Sequence, residues 1–220
     1  MKKTVIIVAG GKGERMNASI PKQFIELKGK PVLMHTIEAF YSYDNAISII
    51  VVLPLLQIEY WEDLCKKHSF GIKHLVAKGG ATRFHSVKNG LSMADASSLV
   101  AVHDGVRPLV SHETISRCFT EAERCGAVIP VVDMVDSIRR VEGESNFACD
   151  RSQFKLVQTP QVFDGKLLKN AYEQEFSDSF TDDASVVESA GAKIHLVQGN
   201  RENIKITTAF DLTIAGAFLS

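Results

Sequence analysis

Short apolar runs rich in β-branched residues recur along the chain, with helical periodicity between them. The runs predict strands at Thr4–Val8, Ile47–Leu53, Ile72–Ala77, Leu99–His103 and Ala127–Val132. The intervening segments predict helices at Val32–Tyr41, Ile58–Lys67, Arg83–Ala94 and Glu113–Cys125. Strands alternating with helices imply an α/β fold, a mainly parallel sheet covered by helices. Ligands of such sheets bind in the crevice beyond the carboxyl ends of the strands. The polar and glycine clusters of this chain fall at those ends.

The alternation breaks after Val132. Met134–Glu142 and Phe147–Gln158 read as strands, with a turn over Gly143–Asn146. This predicts a hairpin that protrudes from the domain. A two-stranded hairpin is marginal alone, so the expectation is that it packs on a partner chain; folding back on its own domain is the alternative. The α/β pattern then resumes. Helices are expected at Gly165–Phe176, Asp183–Ala190 and Asp211–Phe218, and strands at Ile194–Val197 and Ile204–Ile206. No repeat or linker interrupts the chain. The organisation expected is one domain over 1–220 with an arm inserted at 133–158.

Composition narrows the classes. The 25 basic and 26 acidic residues leave a net charge of −1, which gives no bulk attraction to nucleic acid or membrane. No apolar run approaches a bilayer span, and Met1-Lys2-Lys3 leads directly into strand residues, unlike a signal peptide. The four cysteines form no Cys-x-x-Cys pair. Cys118 and Cys125 lie about two turns apart on one helical face, too far for a disulfide. The expectation is free thiols in a reducing cytoplasm.

The chemistry concentrates after the first strand, in VAGGKGERMNASIPKQF from Val8 to Phe24. Gly10, Gly11 and Gly13 let the backbone turn sharply and present N–H groups to phosphate oxygens. Arg15 and Lys22 flank the loop, as suits a polyphosphate whose charge grows during reaction. The loop is not that of a phosphate-loop NTPase, because Lys12 is followed by Gly13 where a Ser or Thr is needed. It is not a dinucleotide fingerprint, because Met16 stands where the third glycine belongs, and the second strand ends in Leu53-Pro54 without an acid.

Other clusters are plainer when taken singly. KGGATRFHSV (78–87) turns from strand to helix, so its amides could read a base edge, with Ser86 adding a hydroxyl. HDGVRP (103–108) invites a metal reading, but no complementary ligand set is evident at metal spacing, and no protein-built metal site is assigned. Asp104 and Arg107 better suit sugar or phosphate contacts, or a structural turn pair. Arg151 reads by default as a solvated arginine, Thr181-Asp182-Asp183 as a helix cap, and Lys205 as a solvated strand residue.

Taken in order, AGGKGERM, PKQF, GGATRFHSV, HDGVRP, DRSQFKLVQTPQVF, TDDAS and NIKIT resemble one family along nearly the whole chain. That family is the 2-C-methyl-D-erythritol 4-phosphate cytidylyltransferases of non-mevalonate isoprenoid synthesis. The resemblance implies a Rossmann-like nucleotidyltransferase domain with a mainly parallel central sheet. A β-hairpin arm would clasp a second subunit in a homodimer. The implied reaction transfers CMP from CTP to 2-C-methyl-D-erythritol 4-phosphate by in-line attack on the α-phosphate, releasing pyrophosphate. Mg2+ would be held mainly by the CTP phosphates.

The resemblance also assigns roles. Arg15, Lys22 and Lys205 would be catalytic, neutralising phosphate charge. Ala9, Gly10, Gly11 and Gly13 would cradle the triphosphate of CTP; Gly80 and Ser86 would read cytosine, and Asp104 would sit by the ribose. Arg107, Ser137, Arg151, Thr159 and Thr181 would contact the methylerythritol phosphate, the arm's share coming from the partner chain. Ser137 stands where the family often has threonine, which keeps the hydroxyl. Ala81 occupies a commonly acidic site, so a side-chain contact there is lost while backbone readout survives. The rival readings are a ribitol-5-phosphate cytidylyltransferase, a sugar-1-phosphate nucleotidyltransferase and a non-catalytic nucleotide-binding regulator.

Overall fold

The computed structural model describes residues 1–10 and 20–219. Parallel pairing joins β1 (Lys3–Val8) to β4 (Ser48–Leu53) on one side and to β6 (Leu99–Asp104) on the other. β5 (Leu75–Lys78) extends the parallel set beyond β4. The chain thus leaves β1 in one direction for β4 and β5, then crosses to its other side for β6. Such a reversal opens a crevice at the strand ends. Val8 of β1 is in register with Asp104 of β6, so the loops after these two strands emerge at the same edge.

Strand alternation builds two apolar layers. Val5, Ile7, Ile49, Val51 and Ala101 face one side, where they meet α1 (Val32–Tyr43), α2 (Leu55–Lys67) and α4 (His112–Cys125). Ile6, Ile50, Val52, Val100 and Val102 face the other, against α3 (Arg83–Ser92), α5 (Gly165–Ala171) and α6 (Asp183–Ser189). Burial on both faces is why these strands read as continuous apolar runs. α7 (Ala209–Phe218) closes a smaller apolar cluster with Leu27, Val32, Val106 and Ile206. Leu27 belongs to a minor ribbon of β2 (Glu26–Leu27) and β3 (Lys30–Pro31).

The sheet departs from the expected strands beyond β6. An unanticipated strand, β11 (Gln161–Asp164), lies antiparallel between β6 and β7 (Ala127–Asp133). The expected strand Phe147–Gln158 is broken. Only Ser145–Cys149 (β9) pairs with β8 (Ile138–Glu142) in the hairpin. Asp150 then accepts the Ser152 N–H (3.0 Å) and caps a 3-10 turn at Arg151–Gln153. Short polar side chains compete with the strand ladder in this way. Lys155–Val157 (β10) returns to pair with β7, on the run that β11 continues.

The hairpin turn is tighter than expected. Glu142 pairs with Ser145, which leaves Gly143 and Glu144 as the loop, and Gly143 takes a φ of +60°. A two-residue loop needs positive φ, which glycine adopts freely. β12 (His195–Gln198) pairs in parallel with β7. The expected strand Ile204–Ile206 does not form; Ile206 makes a single bond of this kind, donating its N–H to Val106 O. Among the described residues, no helix is long and apolar enough to cross a membrane.

Candidate active site

At the carboxyl ends of β1, β5 and β6 lies a cavity of about 370 Å3. Ala9, Gly10, Lys22, Gly80, Ser86, Asp104 and Lys205 all line it, so the structure brings together these candidates from five separated segments. Gly11, Gly13 and Arg15 lie outside the described residues. Ala81 also lines the cavity.

The glycine turn after β5 is fixed by sterics and by one hydroxyl. A Cβ on Gly80 would fall 2.4 Å from the Cβ of His85, so no side chain fits there. Ser86 Oγ accepts the Gly80 N–H (3.0 Å) and donates to Thr82 O (2.9 Å), stitching the turn to the first turn of α3. Thr82 caps that helix by accepting the His85 N–H.

Asp104 ends β6 as the only acid among the described residues of the cavity wall. Its Oδ2 accepts from Arg107 Nε (3.0 Å) and Lys205 Nζ (3.1 Å). Burial opposes its ionisation, but the charges of Lys205, Arg83 and Arg107 outweigh that cost and hold it well below the usual carboxylate range. Lys205 is thereby drawn across the crevice from a segment far away in sequence. Arg107 also donates to Asn203 O (2.8 Å), which ties the two segments together.

Beneath Asp104 runs a buried polar chain. The Asp104 N–H donates to Thr159 Oγ1 (3.1 Å), and Thr159 donates to His103 Nδ1 (2.9 Å). The other ring nitrogen of His103 donates to Arg107 O (3.1 Å). A neutral imidazole with Nε2 protonated fits this pattern, and burial pushes the His103 pKa down to about 4.

Two wall residues were not singled out from the sequence. Arg83 forms a bidentate pair with Asp183 (2.9 and 2.5 Å), and Tyr172 Oη donates to the same carboxylate (2.6 Å). Asp183 is wholly buried, while Arg83 keeps 31% of its side chain exposed toward the cavity. A signal existed: a cation in the first turn of a helix opposes the helix dipole and calls for a partner. Gln23 donates to Ala9 O (2.8 Å) and Gln57 Oε1 (2.7 Å), anchoring the start of the glycine loop to α2. Its place in PKQF beside Lys22 was the available signal.

The other candidates lie off the cavity wall. Thr159 is buried and bonded as described, and Arg107 braces Asp104. Thr181 is exposed ahead of α6, and Ser137 is exposed just before β8. Arg151 is exposed at the foot of the arm, where its guanidinium donates to Val135 O.

Parallel strands that bring a glycine turn and a set of cations to one crevice define an α/β protein of the nucleotidyltransferase class. The family model for 2-C-methyl-D-erythritol 4-phosphate cytidylyltransferase matches residues 3–220, and the chain belongs to that family. A cytidylyltransferase of this name from Bacteroides thetaiotaomicron is 59% identical over 219 residues, covering 100% of both chains. Among solved structures, the 4-diphosphocytidyl-2C-methyl-D-erythritol synthase of Anaerococcus prevotii superposes with a TM-score of 0.83 at 31% identity, covering 99% of this chain and 96% of that one. The Thermus thermophilus cytidylyltransferase gives 0.80 at 33% identity, covering 99% and 98%.

Proposed function

We propose that this chain transfers CMP from CTP to 2-C-methyl-D-erythritol 4-phosphate, giving 4-diphosphocytidyl-2-C-methyl-D-erythritol and pyrophosphate. The reading rests on family membership over residues 3–220. The observation that carries it is the convergence of Lys22, Arg83 and Lys205 on the cavity floored by Gly80 and Ser86. The acceptor phosphate is already anionic, so attack on the α-phosphorus needs no general base. The obstacle is repulsion between two polyanions. Lys22 and Lys205 relieve it by holding positive charge where negative charge accumulates, and Arg15 joins them from the glycine loop.

Each remaining group has a positioning task. The fixed turn at Gly79-Gly80 presents backbone groups to the cytosine edge, and its rigidity discriminates against larger bases. Asp104, kept ionised, accepts from a ribose hydroxyl while holding Lys205 in the crevice. The Asp104 carboxylate is already answered by Arg107 and Lys205, so Mg2+ would be held mainly by the CTP phosphates, where it would neutralise charge on the leaving pyrophosphate.

The arm supports a homodimer. Among the described residues β8 and β9 pair only with each other, and Val135, Val141 and Phe147 are more than half exposed on or beside them. A second copy would cover these side chains. It would also bring Ser137 and Arg151 of one chain to the acceptor phosphate in the other, where Thr159 lies beneath Asp104 and Thr181 is exposed ahead of α6. The unpaired cysteines support a cytoplasmic setting.

The test is pyrophosphate release with Mg2+ and CTP, offering methylerythritol 4-phosphate and ribitol 5-phosphate in parallel, with ATP, GTP and UTP as controls. Release with CTP and methylerythritol 4-phosphate alone is expected. Release only with ribitol 5-phosphate would move the protein to the other acceptor, and silence with every pair from folded protein would overturn the assignment.

A further inference from the structure

Away from the crevice, three side chains of metal-ligating chemistry converge where the end of α4 meets β12. Their ligand atoms, a carboxylate oxygen of Glu121, Cys125 Sγ and an imidazole nitrogen of His195, all lie within 4.8 Å of one another. The geometry points to a zinc-type divalent cation site formed by Glu121, Cys125 and His195, with water as the fourth ligand.

The backbone explains the convergence. Glu121 and Cys125 are four apart in the last turns of α4 and so share a face. His195 opens β12 and alternates with exposed Leu196, which puts His195 on the same side of the strand as Val197. Val197 packs on the layer that contains α4. The helix and strand are further joined by Arg117 Nε, which donates to Gln198 O (2.8 Å).

The polar accounting leaves room for a cation. Cys125 Sγ donates to Glu121 O (3.1 Å) and weakly to Ala127 O (3.8 Å). Among the described residues the Glu121 carboxylate meets only Arg124, at 3.2 Å. His195 is half-buried, yet its ring has no hydrogen bond or ion pair among the described residues. The cluster lies in the C-terminal turn of a helix, where unpaired carbonyls and the macrodipole favour positive charge. Glu121 and Val197 also line an open groove along α4, which supplies an entry path.

The donor set selects the ion. Thiolate and imidazole favour zinc-like cations over Mg2+ or Ca2+, and three protein ligands with one water is a familiar zinc arrangement. Ligand atoms around tetrahedral zinc stand about 3.3–3.8 Å apart, given bonds of about 2.0–2.3 Å. Rotamer shifts of about 1 Å in side chains on a half-exposed surface would close the site. Binding is balanced by loss of the thiol proton to solvent as the Cys125 sulfur–metal bond forms.

Cobalt titration of the full chain, stripped with chelator, tests the site. A thiolate-to-cobalt charge-transfer band is expected in the near ultraviolet, bleached by Zn2+ and not by Mg2+. Cys125→Ser should abolish the band, while Cys65→Ser and Cys149→Ser keep it. His195→Gln and Glu121→Gln should each weaken cobalt affinity on the order of 10-fold or more. His195→Gln changes a partly exposed side chain, so a retained melting transition for it excludes misfolding as the cause. Absence of the band in wild-type protein, its persistence in Cys125→Ser, or equal displacement by Mg2+ would each overturn the site.

Discussion

The crevice and the arm are built on opposite terms. Around the crevice, charged and polar groups of the described residues are matched within one chain: Asp104 by Arg107 and Lys205, Arg83 by Asp183, and His103 by Thr159 and a carbonyl. The arm has a ladder with no layer behind it among the described residues, and Phe147 and Val141 stand 51% and 71% exposed. A site that must meet polyanions needs its charges placed before substrate arrives, so its charged groups are tied within the chain, while the buried Gln23 Oε1 and Asn203 Oδ1 are left without a partner among the described residues. A segment that meets a second copy, as proposed for the arm, would keep its apolar surface exposed until association. The difference predicts that crevice variants act within a chain and arm variants act between chains.

The largest expected effect is at Lys22. Lys22→Ala should lower kcat on the order of 10²–10³-fold, as for loss of one preorganised charge-stabilising donor. Steady-state pyrophosphate release at saturating CTP measures it. Turnover within a few-fold of wild type would remove Lys22 from the charge-neutralising set.

Next is the support behind Arg83. Asp183 is completely buried and answers both Arg83 and Tyr172. Asp183→Ala strands a cation and a hydroxyl at once. Breaking a buried pair costs about 3–5 kcal/mol, and the partial exposure of Arg83 places this one near the lower end, about 3 kcal/mol. Urea unfolding at neutral pH reads it. A loss below about 1 kcal/mol would mean that Arg83 finds solvent easily and that the wall is less preorganised than its geometry indicates.

Acid should weaken the crevice scaffold in a defined window. His103 is held neutral in the folded chain with a pKa of about 4, against about 6.5 when unfolded. Below pH about 6.5 the unfolded chain takes up a proton that the folded chain refuses. The contribution is therefore complete above that pH and lost as pH falls toward 4, up to about 3 kcal/mol. Asp104, held below the ordinary range, adds its own loss at still lower pH. Urea midpoints from pH 7.5 to 4.5 should fall, and His103→Gln should flatten the slope. An unchanged slope in that variant would assign the acid sensitivity to other groups.

These residues also show what the sequence made legible. Strands buried on both faces, such as Ile49–Leu53, announce themselves because every position is apolar. β11 does not: Gln161-Val162-Phe163-Asp164 is short, follows a proline, and starts and ends in polar residues whose side chains are spoken for by α6 and α5. The expected strand through Lys205 failed for the converse reason. Its apolar alternation is real, but Ile206 packs beneath α7 and pairs with no strand. At the site, motifs located the loops, yet the partnership of Arg83 with Asp183 spans 100 positions and no local pattern encodes it.

The smallest effect on the folded chain should come from the arm, and it separates the two regions most sharply. Phe147→Ser with Val141→Ser removes apolar surface that is more than half in water and lies outside the core, so monomer stability should move by no more than about 1 kcal/mol. On the proposed dimer, sedimentation should nonetheless shift toward monomer at dilution, because a second copy would cover the same side chains. Activity should follow dimer content, if Arg151 serves the partner's crevice. Mixing the inactive variants Arg151→Ala and Lys22→Ala makes this quantitative. A hybrid dimer holds one crevice with both defects and one with neither, so random exchange of equal amounts should restore about a quarter of the wild-type activity, from a half share of hybrids each with one intact site. No recovery after demonstrated exchange would confine Arg151 to its own chain, and the arm would then be a clasp that contributes nothing to the chemistry.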